Sequence, residues 1–127
     1  MTKPFGLLLG AALVLAIPVH AADTHSHAGK HGGKLVESGH HHVEIVAKDG
    51  VLDVHVNDED GKPEDIKDAK ATAVVLSEGK KEAITLAPDA GNFLKGSGTF
   101  KARAGTIIVV TLTMPGHSHE QSRIKLD

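Results

Sequence analysis

The clearest pattern in the chain is a change to period two after Gly33. Val43, Ile45 and Ala47 alternate with His42, Glu44 and Val46; Asp49-Gly50 interrupts; Leu52, Val54 and Val56 then alternate with Asp53 and His55. Successive side chains of a strand point to opposite faces, so such alternation marks a half-buried strand. Two of them around Asp-Gly predict a β-hairpin. With Asp49-Gly50 as the loop, Lys48 faces Val51, and the pairs Val43–Val56, Ile45–Val54 and Ala47–Leu52 follow. All three are apolar and define the core face. The other face carries Glu44 directly across from His55, with His42 two residues along from Glu44. A slip of one residue would expose the whole apolar set, so this register is strongly specified.

Further short runs extend the pattern: Ala71–Leu76, Ala83–Leu86, Phe93-Leu94, Thr99–Ala102, Thr106–Met114, and an alternating last strand with Ser122, Ile124 and Leu126. Turn signals at Glu78-Gly79-Lys80 and Pro88–Gly91 separate some of them. Seven to eight short strands at this spacing predict an all-β fold, an antiparallel immunoglobulin-like β-sandwich. Residues 57–68 are acidic and contain Gly61 and Pro63, which predicts a loop. Its Asp58-Glu59-Asp60-Gly61 run lacks the acidic residue two positions earlier and the closing Glu of an EF-hand, so it reads as a solvated turn.

The N-terminus reads as a signal peptide. Lys3 gives a positive start, and Phe5 to Ile17 form an apolar stretch too short to span a bilayer. Pro18 breaks it, and Val19-His20-Ala21 suits a cleavage site. The expected division is 1–21 signal peptide, 22–32 a flexible histidine-bearing arm, and 33–127 a single β-sandwich domain. The expected location is the periplasm, with no membrane span in the mature chain.

Composition narrows the chemistry. The chain has no Cys, Trp or Tyr, so no disulfide can staple it and an ordinary apolar core must hold it. Without Lys3, 13 basic residues face 16 acidic ones, a formal charge of −3 with neutral histidine. There is no basic stripe and almost no aromatic surface on which a base could stack, so nucleic acid is not an expected partner.

Of ten histidines, nine follow the expected cleavage point: His25, His27 and His31; His40, His41 and His42; His55; His117 and His119. Imidazole suits Zn, Cu(II), Ni and Co. Past the signal, the only sulfur is Met114, which argues against a thiolate or thioether Cu(I) site. A divalent transition metal is therefore the expected cofactor, and the pattern does not choose among the four ions. The hairpin face gives a structured candidate: His42, Glu44 and His55 are two imidazoles and a carboxylate able to converge on one ion. His40 and His41 precede the hairpin and are auxiliary ligands. The His-x-His pairs 25/27 and 117/119, with His31, suit loose capture. Cleavage after Ala22 would instead start the chain Asp23-Thr24-His25, whose amine, amides and imidazole suit square-planar Cu(II) or Ni(II). No nucleophile sits in a catalytic motif, and Gly96-Ser97-Gly98 does not precede a helix as a phosphate loop would, so the chain does not read as an enzyme.

One longer pattern adds to this. His31-Gly32-Gly33-Lys34-Leu35-Val36-Glu37-Ser38-Gly39, then Val43-Glu44, Asp60-Gly61-Lys62-Pro63, Leu86-Ala87-Pro88 and the run from Asn92 to Gly98 occur in this order. The order resembles the small β-rich N-terminal module of some periplasmic adaptors of heavy-metal efflux systems of the resistance-nodulation-division type. It covers roughly residues 30–126. The resemblance implies a periplasmic role near heavy-metal efflux, with an efflux component as a partner, and supplies no ligand residues. This chain ends where such adaptors continue into coiled-coil, lipoyl-like and barrel domains, so the expectation is a free-standing module. It would buffer metal or deliver it to efflux. The alternatives are a module that docks on an efflux or envelope component with its histidines incidental, a pH sensor built on the same histidines, and a metallohydrolase.

Overall fold

The structure is a computed structural model and describes residues 26–127. The expected signal peptide, the start of the arm and His25 lie outside the described residues. Nine antiparallel strands form one sheet: β1 His27–Ala28, β2 Lys34–Ser38, β3 His41–Lys48, β4 Val51–Asn57, β5 Lys70–Ser77, β6 Lys80–Asp89, β7 Phe93–Ser97, β8 Ile107–Thr113 and β9 Glu120–Lys125. Their order is β1-β2-β3-β4-β7-β6-β5-β8-β9. The all-β, antiparallel class is as the alternation predicts, and the sheet curls into a half-barrel.

The curl turns at β6. Its first part pairs with β5 up to Leu86, and its last residues, Ala87 to Asp89, pair with β7. Gly96 of β7 permits the close approach at this corner. A Cβ there would stand 2.6 Å from both Ile84 Cγ2 and Leu86 Cδ2. The curl brings the far edge back to the start. Ser38 Oγ donates to the Gln121 carbonyl at 3.2 Å, and Lys34 Nζ donates to the Lys125 carbonyl at 2.6 Å.

The β3–β4 hairpin has the register that the alternation dictates: Val43 opposite Val56, Glu44 opposite His55, Ile45 opposite Val54, Ala47 opposite Leu52. Val43, Ile45, Leu52, Val54 and Val56 are buried. They pack in one cluster with Val36, Val75, Ile84, Leu86, Leu94, Ile108, Val110, Leu112 and Ile124. Removing such area from water contributes about 25 cal/mol per Å², and this aliphatic core takes the place of disulfides.

Two expectations differ from the structure. The first is a strand over Thr99–Ala102, where the chain is irregular. Side chains and a turn take its backbone groups instead of a neighbouring strand. Thr99 N–H donates to Glu82 Oε1, Ala102 N–H to Asp49 Oδ1, and the Phe100 carbonyl accepts the Gly50 N–H. The second is the arm. His27 pairs with Leu35 and Ala28 with Lys34, so its later part lies on the sheet edge as β1. The loop after β4 begins with an Asx-type turn, in which Asp58 Oδ1 accepts the Asp60 and Lys62 N–H groups.

Candidate metal centre

Glu44 organises the outward face of the hairpin. Alternation alone would leave it wet, yet only 1 % of it is exposed, because residues 29–33 fold over it. The His31 and Gly33 N–H groups both donate to its Oε2, at 2.8 and 2.9 Å. The His31 ring meets Oε1 through Nδ1 at 2.8 Å. The tight turn needs glycine. A Cβ on Gly29 would fall on the Glu44 carboxyl, and one on Gly33 on the Ile45 carbonyl. Burial pushes the Glu44 carboxyl up, but the His31 ring and the two backbone donors outweigh it and hold it below the usual carboxylate range.

The His31 ring lies flat on His55, with centroids 3.7 Å apart and planes 2° from parallel. The ring of Phe93 also lies beside His55, its centroid 5.2 Å away and its plane tilted by 33°. Burial first, and then the neighbouring His31, lower the pKa of His55 below its ordinary 6.5; Glu44 and Asp53 pull the other way. His55 is thereby biased to the neutral ring that a metal requires. With Nδ1–H given to Glu44, a neutral His31 carries its lone pair on Nε2. A carboxylate holding the second nitrogen of an imidazole is the usual support of a metal-bound histidine.

Glu44 therefore sits behind His31 rather than beside His55 as an open ligand, since both of its oxygens are taken. His42 lies at the end of the same face, opposite Asn57 and Glu37, with Nε2 3.6 Å from the Glu37 carboxylate. Among the described residues, no three His, Asp or Glu side chains are already arranged around one ion position. His42, Glu44 and His55 share the face without forming a ready ligand set. Sequence reasoning missed Asp53 here. It alternates onto the same face as His55, and its Oδ1 is buried without a hydrogen-bond partner among the described residues. Its signal was its place in the alternating run.

Of the other described histidines, His41 and His117 lie together, while His27, His40 and His119 stand apart. His40 Nδ1 is 2.9 Å from Glu59 Oε1, an exposed pair whose hydrogen bond raises the pKa of His40. His41 is buried and lies between Glu120 and Glu64, at 2.7 and 3.2 Å, with the ring of His117 edge-on at 5.1 Å. His119 Nδ1 is 2.6 Å from Thr113 Oγ1. His27 is exposed on β1. Met114, the only sulfur-bearing residue among the described residues, is buried in the core and spent on packing. No helix among the described residues is long and apolar enough to cross a membrane. No protein-family model matches the chain, and neither a curated protein nor a solved structure matches it.

Proposed function

We propose that the chain is an exported, periplasmic, non-enzymatic protein of immunoglobulin-like sandwich type that binds divalent transition metal through histidine, for buffering or for delivery to efflux. The observation that carries this reading is the stacked His31–His55 pair backed by the buried Glu44 carboxylate. It offers two imidazoles at one spot, one with its second nitrogen held by a carboxylate and one biased to neutrality. Asp53 brings an unpaired buried oxygen to the same face. For His31 Nε2 and a nitrogen of His55 to share an ion, the rings must open out of their parallel stack until their in-plane lone pairs converge, with a carboxylate or water completing the shell. Zn, Cu(II), Ni and Co all suit such donors. The resemblance to efflux adaptor modules supports the periplasmic setting and an efflux component as recipient.

The test is calorimetric titration of the chelator-stripped chain with each ion, beside a His31→Ala/His55→Ala variant. Micromolar or tighter binding that the variant loses or weakens at one site is expected. Absence of binding by the intact chain overturns the reading.

One observation favours docking on an efflux or envelope component as a second reading. The middle of the outer face of β6-β5-β8 is partly apolar, with Lys70 and Lys81 at its two ends. Val74 stands between Ala83 and Val109, and Thr72 between Thr85 and Thr111. A groove of about 510 Å³ on this face is lined by Thr72, Thr85, Ala87, Pro88 and Thr111 among others. A chain that binds no metal would leave this as the better account.

A further inference from the structure

The seam where the sheet curls back holds a second cluster of metal-ligating chemistry. His41 opens β3, Glu120 opens β9, Glu64 lies in the loop between β4 and β5, and His117 in the turn between β8 and β9. Four separate parts of the chain thus meet at one point. The side chain of His41 is 2 % exposed, that of Glu120 15 % and that of Glu64 29 %, while His117 is exposed. The site is rooted in the interior and reaches the surface through His117.

The two carboxylates meet His41 at different distances. Glu120 Oε2 is 2.7 Å from Nδ1, a charge-assisted hydrogen bond. Glu64 Oε2 is 3.2 Å from Nε2. Two ligands bound to one zinc, each about 2.0–2.1 Å from it, stand roughly 2.9 Å apart at a right angle and roughly 3.4 Å apart at the tetrahedral angle. The Nε2–Oε2 separation falls between these values. Glu120 engages Nδ1, which leaves Nε2, on the Glu64 side, as the ring nitrogen that can carry an ion. Gly39 lets Glu120 sit here, since a Cβ at that position would collide with its carboxylate.

We infer that His41 Nε2, Glu64 and His117 form a second site for a divalent transition metal, with Glu120 as the positioning residue that holds His41 through Nδ1. This deepens the metal-binding reading and rests on it. His117 has only to rotate in its exposed turn to bring a ring nitrogen to the ion, and water completes the shell. The ion would link β3 to the turn before β9 across the seam, so the intact chain would take two ions, one at the hairpin and one at the seam.

The test titrates the chelator-stripped full chain with Zn and with Co(II), following heat and the Co(II) visible spectrum. Variants are Glu64→Gln/His117→Ala, both at accessible positions, and His31→Ala/His55→Ala. Two ions are expected for the intact chain and one for each variant, with different Co(II) spectra remaining in the two. Glu120→Gln is expected to weaken the seam site about 10–100-fold without changing the hairpin spectrum. Nitrogen NMR of the unaltered chain gives a readout that needs no variant: Zn should shift His41 Nε2 and a ring nitrogen of His117. Two ions still bound by Glu64→Gln/His117→Ala, or unmoved His41 and His117 resonances at saturation, overturn the seam site. A single ion that only His31→Ala/His55→Ala removes does so too, while leaving the hairpin reading intact. No binding by the intact chain overturns both.

Discussion

Glu44 and His31 hold each other in place: one carboxylate accepts the backbone N–H and the ring Nδ1 of the same histidine, both at 2.8 Å. The contact fixes the ring that stacks on His55 and ties the arm to the hairpin. Glu44→Gln keeps the shape and removes the charge. A hydrogen bond to a charged, buried acceptor is worth roughly 1.5–3 kcal/mol. The substitution is expected to cost about 2 kcal/mol in urea unfolding, and amide exchange at His31 and Gly33 should accelerate far more than at core strand positions. Unchanged exchange at these two amides would contradict the anchoring role.

The pH dependence of the metal-free chain follows from three groups. The pKa of His55 is lowered from 6.5 by burial and His31, so the folded chain resists protonating it. Its contribution is complete above about 6.5 and is lost as pH falls toward the folded value. Glu44 is lowered from 4.5, so its stabilisation is present above that value and is lost as pH falls through the folded one. His40 runs the other way. Its raised pKa favours folding below 6.5, and that contribution disappears as pH rises through the folded value. His40 is exposed, and solvent screens its pair with Glu59. The urea midpoint should therefore fall from pH 7 to pH 4, and His55→Gln should flatten the upper part of that slope. A midpoint that rises on acidification would refute the assignment.

Metal should stabilise the fold. An ion that binds only the folded chain adds about 2.7 kcal/mol at a hundredfold excess over its Kd. Zn is expected to raise the melting temperature by several degrees at pH 7, with EDTA reversing the gain. At pH 5 the gain should shrink, because protons compete for the imidazoles. Scanning calorimetry with and without Zn checks this, and equal melting temperatures at both Zn levels would speak against a folded-state site.

Two glycine substitutions separate the fold from the site. Gly96→Ala places a Cβ against Ile84 and Leu86, and such overpacking costs roughly 1–3 kcal/mol. It should lower stability without altering metal stoichiometry. Gly29→Ala places a Cβ on the Glu44 carboxyl instead. It should cost little in the core but displace the arm and weaken the hairpin site. The pair is read by urea unfolding and by metal titration; equal effects on both measurements would show that arm and core are not separable.

The hairpin was legible because its signals were local. Period two, an Asp-Gly break and three matched apolar pairs admit one register, and Glu44 opposite His55 follows from it. The strand expected over 99–102 failed for the opposite reason. Its residues look β-like, but Asp49 and Glu82, distant in sequence, take its N–H groups. The arm looked too polar to order itself, and by its own composition it is. What holds its described part is pairing with β2 and the Glu44 carboxylate on β3, and nothing in residues 22–32 announces either.

The sequence by itself determined the strand periodicity, the core face of the hairpin, the absence of disulfides and the histidine-rich chemistry. Each depends on residue type and on spacing along a few neighbouring positions. Only the tertiary structure decided which histidines meet. His31 reaches His55 because Gly29 and Gly33 let the arm close over Glu44, and His41 reaches Glu64, Glu120 and His117 because the sheet curls until β2 stands beside β9. Those contacts join residues far apart in the chain, and the curl that brings them together arises from the packing of the whole sheet around one core.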